Sequence, residues 1–595
     1  MMMEDLRENA ADAGAGDATG DSAGGMRNPD APTPSVYPPP ESMRPTLVGS
    51  HYMVSAGHPI VAQIMANVLE RGGTAIDAGI AGGFASTVIQ PDMCNLGGIA
   101  PIVLRTAGDR RIWSAAGVGP WGAATDLDAF RDRWSGDIPL GSATGIVPGA
   151  PDALLAALAR FGTWSFTDLI APSIAYARDG LVLDHRTAIA LEIMGRSFCQ
   201  WESSRAVYWP RGRPPLVGEV IRQTDLAGTL ETMAAAEAGS DRADRIERVR
   251  AAFYDGPVAE ALVSFNRADG GVLDRADLAN FRGALVEAPQ VDHGSWRVAT
   301  TDFTTQGPVM LQALGILSAF DLKEASTADA LHLAIEALKL GFADREAHYC
   351  DPNFARTDQN QLLGADHLAK LAGRIRMDRA LGSDLSASGQ ARPRFDTTYV
   401  CAVDRAGNAI SVMPSDTLDG SPIVPGVGAI VSCRGVQSRL DPDHVNALAP
   451  GKRPRITPAP ALAVRSGGPD TQVLAFGCPG GDVIIQAMMQ AFINLTVHDM
   501  LPQQAVEAPR VATFSFSNSF FPNPAFPGRV DIEARISADV RAGLARRGHA
   551  LEHWPDWEFD AGGVMMAGLL DLGGVDGPAL YGAADPRRTC YAVGR

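Results

Sequence analysis

The sequence predicts a layered α/β protein, and two patterns carry this prediction. Apolar residues recur at helical spacing over 59–73 and end at two glycines, as in an amphipathic helix with a glycine stop. Short runs rich in β-branched residues, at 100–106, 297–303 and 472–478, are typical of strands. Because helices and strands alternate along the chain without a short repeat, we expect the elements to pack as layers.

Two further helices fit the same interpretation. Residues 74–87 are mostly small, which lets a neighbouring helix or sheet approach closely. Ser326 and Asp329 resemble a capping box ahead of a long helix over 331–349.

Composition excludes several classes of function. The 595 residues carry a formal net charge of −17 and no basic stripe, so neither a nucleic acid nor an anionic membrane is an expected partner. Seven scattered cysteines without a C-x-x-C pair argue against a disulfide framework or a zinc site. No cofactor or metal is expected, since no metal-ligand cluster or phosphate-binding loop stands out.

The chain starts without a secretory signal pattern and has no apolar run long enough to span a bilayer, so a cytoplasmic protein is predicted.

The first 45 residues differ from the rest of the chain. Residues 1–45 are rich in Gly, Ala, Asp, Ser and Pro and hold few large apolar groups. Such a segment buries too little apolar surface to offset the entropy lost on ordering, so a flexible tail is predicted. Order is expected to start near His51.

A hairpin is predicted in the second half of the chain. Its first strand starts at Thr397 and covers 397–404, a turn follows over 404–408, and the second strand is 409–413. Taken alone, a Thr-Thr pair at the head of a strand indicates only good strand residues.

A second feature is the Gly480–Gly481 pair, between a predicted strand at 472–477 and an amphipathic helix over 483–495. Without side chains, two successive N–H groups can approach a reacting carbonyl, and a helix N-terminus favours developing negative charge. An ordinary tight turn is the alternative interpretation.

The order of segments resembles the gamma-glutamyltranspeptidase family over nearly the whole chain after the tail. The matching stretches run from residue 55 to residue 592 and include SAGHPIVAQIMANVLERGGTAIDAGIA, VPGAPDALLAALARFG, HLAIEALKLGFADREAHYCDPNF, TTYVCAVDRAGNAISV, NALAPGKRPR, FGCPGG and ADPRRTCYA. The resemblance implies a four-layer αββα sandwich of the N-terminal-nucleophile hydrolase type. It also implies a precursor that is cut into two interwoven subunits.

In that family the cut falls before the first threonine of the pair, which here is the bond between Asp396 and Thr397. The resemblance therefore divides the chain into a tail (1–45), a large-subunit portion (46–396) and a small-subunit portion (397–595).

The resemblance also implies roles for individual residues. A threonine hydroxyl needs an adjacent base, and the α-amino group freed by the cut supplies one with a reference pKa of about 8. Thr397 is the expected nucleophile, and Gly480 and Gly481 are the expected oxyanion donors. Ser415 falls close to the family's hydroxyl that supports the nucleophile's amine, with Asp416 and Thr417 as competitors if the alignment slips.

Four features linked to glutathione specificity, at six residues in all, depart from the family pattern. The arginine for the glutamyl carboxylate is replaced by Ala116, the acidic pair by Val436 and Gln437, the double serine by Ile456 and Thr457, and the histidine after the threonine pair by Tyr399. These changes put glutathione in doubt as a substrate without affecting the amide chemistry. The segment 432–455 resembles the branch of the family that includes oxamate amidohydrolase.

Arg434 and Arg455 flank the region where the family binds substrate, and either could pair with a carboxylate through its planar guanidinium. The alternatives are a structural anchor for Arg434 and a surface charge for Arg455. Thr457 and Asp416 are further candidates for substrate binding, whereas Asp482 is expected to cap the helix that follows it.

The leading hypothesis is a self-processing amidohydrolase that hydrolyses a small polar or carboxylate-bearing amide through a threonyl acyl-enzyme. A gamma-glutamyl-type transpeptidase, a glutathione hydrolase or a β-lactam side-chain acylase are alternatives within the enzymes. An unprocessed homologue that binds a ligand without catalysis is the alternative of another class. Two subunits from one precursor are expected, with a dimer of such heterodimers as a further possibility.

Overall fold

A computed structural model describes residues 42–382, 396–465, 471–573 and 577–595. Residues Ser42–Arg595 form one compact unit. Most of the predicted tail, residues 1–41, lies outside the described residues. At its described end, the backbone N–H groups of Met43 and Arg44 donate hydrogen bonds to the Glu507 carboxylate over 2.7 and 3.1 Å.

The strands form two large antiparallel sheets and two small ones. They are β1 (Leu47–Gly49), β2 (Tyr52–Ala56), β3 (Ile102–Arg105), β4 (Trp113–Ala115), β5 (Leu181–Val182), β6 (Val220–Ile221), β7 (Val286–Glu287), β8 (Gln290–His293), β9 (Trp296–Thr300), β10 (Val400–Asp404), β11 (Ala409–Val412), β12 (Ala461–Arg465), β13 (Gln472–Gly477), β14 (Val511–Thr513), β15 (Arg529–Glu533), β16 (Ala550–Trp554), β17 (Met565–Leu570), β18 (Ala579–Ala584) and β19 (Tyr591–Gly594). One seven-stranded sheet, here sheet I, has the order β1-β18-β17-β13-β12-β9-β8. The other, sheet II, has the order β19-β2-β10-β11-β3-β4-β7, and the small sheets are β14-β15-β16 and β5-β6.

Helices cover the outer faces of the two large sheets. They are α1 (Pro59–Glu70), α2 (Ala75–Ile89), α3 (Leu127–Arg133), α4 (Ala150–Phe161), α5 (Phe166–Asp179), α6 (His185–Phe198), α7 (Glu202–Tyr208), α8 (Thr224–Ala235), α9 (Arg242–Tyr254), α10 (Pro257–Ala268), α11 (Arg275–Asn280), α12 (Gly307–Leu317), α13 (Thr327–His348), α14 (Ala365–Ala372), α15 (Ile484–Thr496), α16 (Pro502–Glu507) and α17 (Ala538–Arg546). Within the described ranges, none of the helices has both the length and the apolar character needed to cross a bilayer.

Alternation along the central strands produces the layers. Val54 and Val400 of sheet II belong to the apolar cluster that includes buried residues of α1, α2 and α4. Their neighbours Met53 and Cys401 belong to a second cluster that contains sheet I and the helices α12, α13 and α15. Because successive strand residues point to opposite faces, the order is helices, sheet II, sheet I, helices. This αββα sandwich confirms the fold that the family resemblance implies.

Both predicted subunit portions contribute strands to both sheets. In sheet II, β10 pairs with β2 on one side and β11 on the other, with Val400 opposite Ala56 and Val412. In sheet I, β12 pairs with β9 and β18 pairs with β1. A cut before Thr397 therefore leaves two chains that share both sheets.

The predicted helices and the predicted hairpin are present in the structure, but the first strand of the hairpin starts later than predicted. The helices predicted over 59–73, 74–87 and 331–349 are present as α1, α2 and α13, and Ser326 accepts the cap hydrogen bond from the Asp329 N–H. The predicted hairpin is β10 and β11, but its first strand begins at Val400 rather than at Thr397.

Candidate active site

Thr397 lies just before β10 and opposite Ser415. The two residues form an isolated antiparallel bridge that continues the register of β10 and β11, and the Thr398 N–H donates to the Pro414 carbonyl over 3.0 Å. Both Thr397 and Ser415 are buried. Their hydroxyl oxygens are 2.8 Å apart.

The carbonyl oxygen of Asp396, at the predicted cut, faces the same hydroxyl. Ser415 Oγ lies 3.0 Å from it and Arg434 Nη2 lies 3.4 Å from it, and Arg434 Nη2 also donates to Ser415 Oγ. A hydroxyl has one proton and two lone pairs, and a carbonyl can only accept. The Ser415 proton therefore points to Asp396 O, and Ser415 Oγ accepts from Thr397 and Arg434.

The Asp396 side chain is held by Arg588. Arg588 Nη1 donates to both carboxylate oxygens over 2.9 and 2.8 Å. The backbone N–H of Thr397 donates to Asp396 Oδ1 over 2.9 Å. Both sides of the predicted scissile bond are thus fixed by polar contacts.

Arg434 forms a buried ion pair as well as lying next to the predicted cut. Its Nε lies 2.6 Å from Asp416 Oδ1, and the Ser432 hydroxyl donates to Asp416 Oδ2 over 2.5 Å. Asp416 has a φ of +94°, a backbone conformation that costs free energy for a residue with a side chain. The structural alternative for Arg434 is therefore supported, and Ser415 rather than Asp416 or Thr417 meets Thr397.

Thr457 connects to this group through Gln437. Gln437 accepts from Arg434 Nη1 over 3.5 Å, and its amide donates to Thr457 Oγ1 over 3.4 Å. Thr457 and Gln437 are buried. Of the predicted substrate-binding residues, Arg434, Asp416 and Thr457 therefore lie in one network with Ser415.

Arg455 lies in a different network. It is fully buried, and its guanidinium donates to the Arg345 carbonyl over 2.9 Å and to the Glu346 carboxylate over 2.8 Å. Burial lowers the pKa of Arg455 to about 9, and the Glu346 carboxylate opposes that shift. The surface-charge interpretation of Arg455 is wrong because the side chain is buried and pairs with Glu346, which is far away in sequence. Substrate binding by Arg455 stays a prediction that this arrangement does not favour.

Gly480 and Gly481 form the predicted turn between β13 and the following helix. Their φ values are +141° and +59°, which favour glycine. Within the described residues, neither glycine N–H donates to a protein acceptor. The Gly481 carbonyl is held by the Gln306 amide over 2.9 Å. Two N–H groups are thus available at the start of the short 3₁₀ turn that precedes α15, as an oxyanion site requires.

The predicted role of Asp482 as a helix cap is wrong. Residues Gly481–Val483 form a short 3₁₀ turn, so α15 begins at Ile484 and Asp482 lies too early to cap it. Its carboxylate instead pairs with Arg345 over 2.6 Å and accepts the Ser519 N–H over 2.9 Å.

Two of the positions that differ from the glutathione pattern lie in one apolar cluster. Ala116 and Ile456 pack together with Ile99, and the Ser415 N–H donates to the Ile99 carbonyl over 2.9 Å. Tyr399 is buried elsewhere, and its hydroxyl lies 2.6 Å from Ser411 Oγ. The apolar cluster of Ala116 and Ile456 therefore reaches Ser415 through the Ile99 backbone.

Two buried carboxyl groups near Asp396 were not found from the sequence. Burial is the main cause that raises the pKa of Asp92 and of Asp419 to about 6, and the Asp396 charge adds to both shifts. Asp92 Oδ1 has no hydrogen-bond partner among the described residues. Neither residue stands in a recognisable motif, because only tertiary packing brings them to Asp396.

Asp92→Asn, introduced into a chain kept uncleaved by Thr397→Ala, tests this buried charge. The pKa of Asp92 is higher in the folded state than in the unfolded state, so protonation of Asp92 stabilises the fold. This stabilisation is fully present below pH 3.8 and is lost as the pH rises through about 6. We expect the free energy of unfolding of Asp92→Asn, relative to its parent, to rise by about 3 kcal/mol between acidic and alkaline pH. Denaturant titrations at pH 3 and pH 8 measure this. Asp128→Asn, at a carboxylate 90% exposed, is the control, and an equal gain there would contradict the assignment.

One cluster of the described residues has metal-ligating groups. His332, Glu336 and His549 are buried and bring their ligand atoms within 4.8 Å of one another. Lys339 donates to Glu336 over 2.9 Å, so a cation already neutralises that carboxylate. The cluster shares no residue with the network around Thr397. No motif in the sequence indicates it, because His549 is distant along the chain from His332 and Glu336.

A sequence profile of gamma-glutamyltranspeptidase matches residues 61–594. The chain belongs to the gamma-glutamyltranspeptidase family.

Individual members of the gamma-glutamyltranspeptidase family match over most of their length. The chain is 30% identical to the acylase ACY 1 proenzyme of Pseudomonas sp. strain SE83 over 554 residues, 90% of this chain and 93% of that protein. It is also 30% identical to the oxamate amidohydrolase proenzyme of Klebsiella pneumoniae over 569 residues, 93% of this chain and 100% of that protein. The crystal structure of cephalosporin acylase from Bacillus halodurans has a TM-score of 0.80 at 28% identity, covering 95% of this chain and 99% of that one.

Membership in the gamma-glutamyltranspeptidase family makes this chain an N-terminal-nucleophile enzyme of the amidohydrolase and acyltransferase class. The family that the sequence motifs indicated is therefore confirmed, and so is its αββα fold.

Proposed function

We propose that this chain is a self-processing amidohydrolase in which Thr397 cuts the bond before itself and then hydrolyses a small amide. The observation that carries the proposal is the path from Thr397 Oγ1 through Ser415 Oγ to the Asp396 carbonyl oxygen, with steps of 2.8 and 3.0 Å. A nucleophile, a proton acceptor and a polarised carbonyl thus meet at one peptide bond.

In the processing reaction, Thr397 Oγ1 attacks the carbonyl carbon of Asp396. Its proton passes to Ser415 Oγ while the Ser415 proton passes to the carbonyl oxygen, so the tetrahedral adduct forms without net charge. The bond to the Thr397 nitrogen then breaks as that nitrogen gains a proton and the carbonyl re-forms. Water hydrolyses the resulting ester, which leaves a carboxylate at Asp396 and a free amine at Thr397.

In turnover, the freed amine of Thr397 accepts the proton of its own hydroxyl during attack on a substrate amide. The N–H groups of Gly480 and Gly481 stabilise the oxyanion, and the substrate amine leaves with a proton. Water then hydrolyses the acyl-enzyme and restores Thr397.

The substrate is a small amide other than a gamma-glutamyl compound. Ala116 and Val436 carry no charge, and Gln437 is occupied by Arg434 and Thr457, so the glutamyl ligands of the family are missing here. The similarity to an oxamate amidohydrolase supports a small amide that carries a carboxylate.

Purified protein tests the proposal directly. A denaturing gel should show fragments of 396 and 199 residues, with Thr397 as the new N-terminus. The cut protein should release ammonia from small amides at a rate that glycylglycine does not change. Transfer to glycylglycine would instead indicate a transpeptidase, and an intact chain that binds amides without cutting them would indicate the non-catalytic alternative.

A cytoplasmic location is part of the proposal. All seven cysteines lie in the described ranges and none forms a disulfide, which suits a reducing compartment. Association of two processed pairs stays a prediction, which light scattering on the cut protein can measure.

A further inference from the structure

Arg588 and Asp396 form an ion pair beside the bond that the enzyme is proposed to cut. Their closest atoms are 2.8 Å apart, and the side chains are only 5% and 16% exposed. Asp396 is the last residue of the predicted large subunit. The cut therefore breaks the peptide bond that ties Asp396 to Thr397 and makes Asp396 the C-terminal residue of its chain, so it is held in front of Arg588 from one side only.

Arg588 keeps its position without Asp396. Its Nε and Nη2 donate to the Phe559 carbonyl over 3.3 and 3.2 Å, and its guanidinium lies 3.8 Å from the centre of the Phe559 ring. Its aliphatic stem packs against Gly563, where an added β-carbon would lie 2.9–3.1 Å away. Only Nη1 donates to Asp396. If Asp396 moves away, the Phe559 contacts keep the guanidinium in place, and Nη1 is left as a charged hydrogen-bond donor without an acceptor.

Other buried arginines near the site keep their partners after the cut. Arg434 pairs with Asp416, and Arg587 pairs with Glu533 and Asp585, all within the small-subunit portion. Among the described residues, Asp396 is the only carboxylate within 4.0 Å of Arg588. A buried cation that loses its partner is costly, so another anion is strongly favoured to take the place of Asp396.

The position is close to the reacting groups. The Asp396 oxygen that Arg588 binds also accepts the Thr397 N–H over 2.9 Å. On the other side, Arg588 Nη2 lies 3.7 Å from where a β-carbon on Gly480 would stand. An anion bound at Arg588 thus lies between the amine of the nucleophile and the oxyanion loop.

We propose that Arg588 binds the substrate carboxylate in the cut enzyme and that Asp396 occupies this position in the precursor. This inference rests on the proposed amidohydrolase function and names its substrate class, the monoamides of small dicarboxylic acids. Asp396 has two carbon atoms between its main-chain carbonyl and its carboxyl carbon. Succinamate has the same spacing between its amide and its carboxylate, so it is the probe of matching length.

Binding of succinate tests the proposal without any change at Arg588. Calorimetric titration in a carboxylate-free buffer compares the cut wild-type enzyme with the uncut Thr397→Ala chain. We expect succinate to bind the cut enzyme at least tenfold more tightly, because Asp396 fills the position in the uncut chain. Equal affinity for the two proteins, or no binding to the cut enzyme, would overturn the proposal.

Kinetics on cut protein provide the second test. Ammonia release from succinamate and from butyramide, which has a methyl group in place of the carboxylate, gives a ratio of kcat/KM values. We expect Arg588→Met to lower this ratio about 10- to 100-fold, Arg588→Lys to lower it less, and the exposed Arg546→Met to leave it unchanged.

The two tests separate this inference from the function on which it rests. Hydrolysis of butyramide as efficient as that of succinamate, with a ratio that Arg588→Met does not move, would overturn the Arg588 site and leave the amidohydrolase standing. Tight, cut-dependent succinate binding without hydrolysis of any amide would leave the site standing and overturn the function.

Discussion

Thr397→Ala should leave the chain as a single polypeptide of 595 residues on a denaturing gel. The substitution removes the hydroxyl that lies 2.8 Å from Ser415 Oγ and that attacks the Asp396 carbonyl carbon in the proposed processing reaction. Loss of a catalytic nucleophile lowers the rate of an acyl-transfer reaction by roughly 10⁴-fold or more. Cleavage followed over days by gel and by N-terminal sequencing measures the effect.

The neighbouring threonine provides a matched control for that experiment. Thr398 is equally buried, but its hydroxyl donates to Gln90 over 2.7 Å and points away from Ser415. Thr398→Ala should be cut normally, and Thr397→Ser should be cut because it keeps a hydroxyl. Cleavage of Thr397→Ala at the wild-type rate would remove Thr397 from the reaction.

The Gly480→Ala chain should be cut normally, but its kcat should be about 10²- to 10³-fold lower, which is the effect of losing one oxyanion donor. A β-carbon at a φ of +141° strains the turn, so the two N–H groups leave the direction that an oxyanion needs. Processing survives because the Asp396 carbonyl is held by Ser415 and Arg434 rather than by the glycines. Cleavage on a gel and single-turnover ammonia release measure the two reactions separately.

Gly294→Ala is the matched control for the glycine substitution. Gly294 also has a positive φ, +58°, and an added β-carbon would meet no atom within 4 Å. It lies in the turn between β8 and β9, so its strain should leave kcat unchanged. An unchanged kcat in Gly480→Ala would exclude the glycine pair as the oxyanion site.

The local part of the site could be predicted from the sequence. Two strands joined by the turn at 404–408 pair Val400 with Val412, and the same register places Thr397 opposite Ser415. The glycine turn before α15 also follows from local pattern, because a strand, two glycines and an amphipathic run are adjacent in the chain.

Long-range partners could not be predicted in this way. Arg455 stands in a stretch of charged residues and prolines that suggests a surface, and only the fold brings Glu346 against it. Arg588 and Asp396 are 192 positions apart, so no periodicity connects them. The error at Asp482 has a local cause, since a 3₁₀ turn over Gly481–Val483 moves the helix start by one residue, from 483 to Ile484.

The position of β2 between β10 and β19 has a consequence for how the mature enzyme folds. Before the cut, every strand pairing closes within one molecule, so folding is a first-order process. After the cut, β2 belongs to one polypeptide and both of its neighbours belong to the other, so refolding requires two separate chains to meet. Recovery from denaturation should therefore depend on protein concentration for the cut enzyme and be independent of it for the Thr397→Ala chain. A molecule cut before Thr397 would therefore keep a fold that it acquired as a single chain.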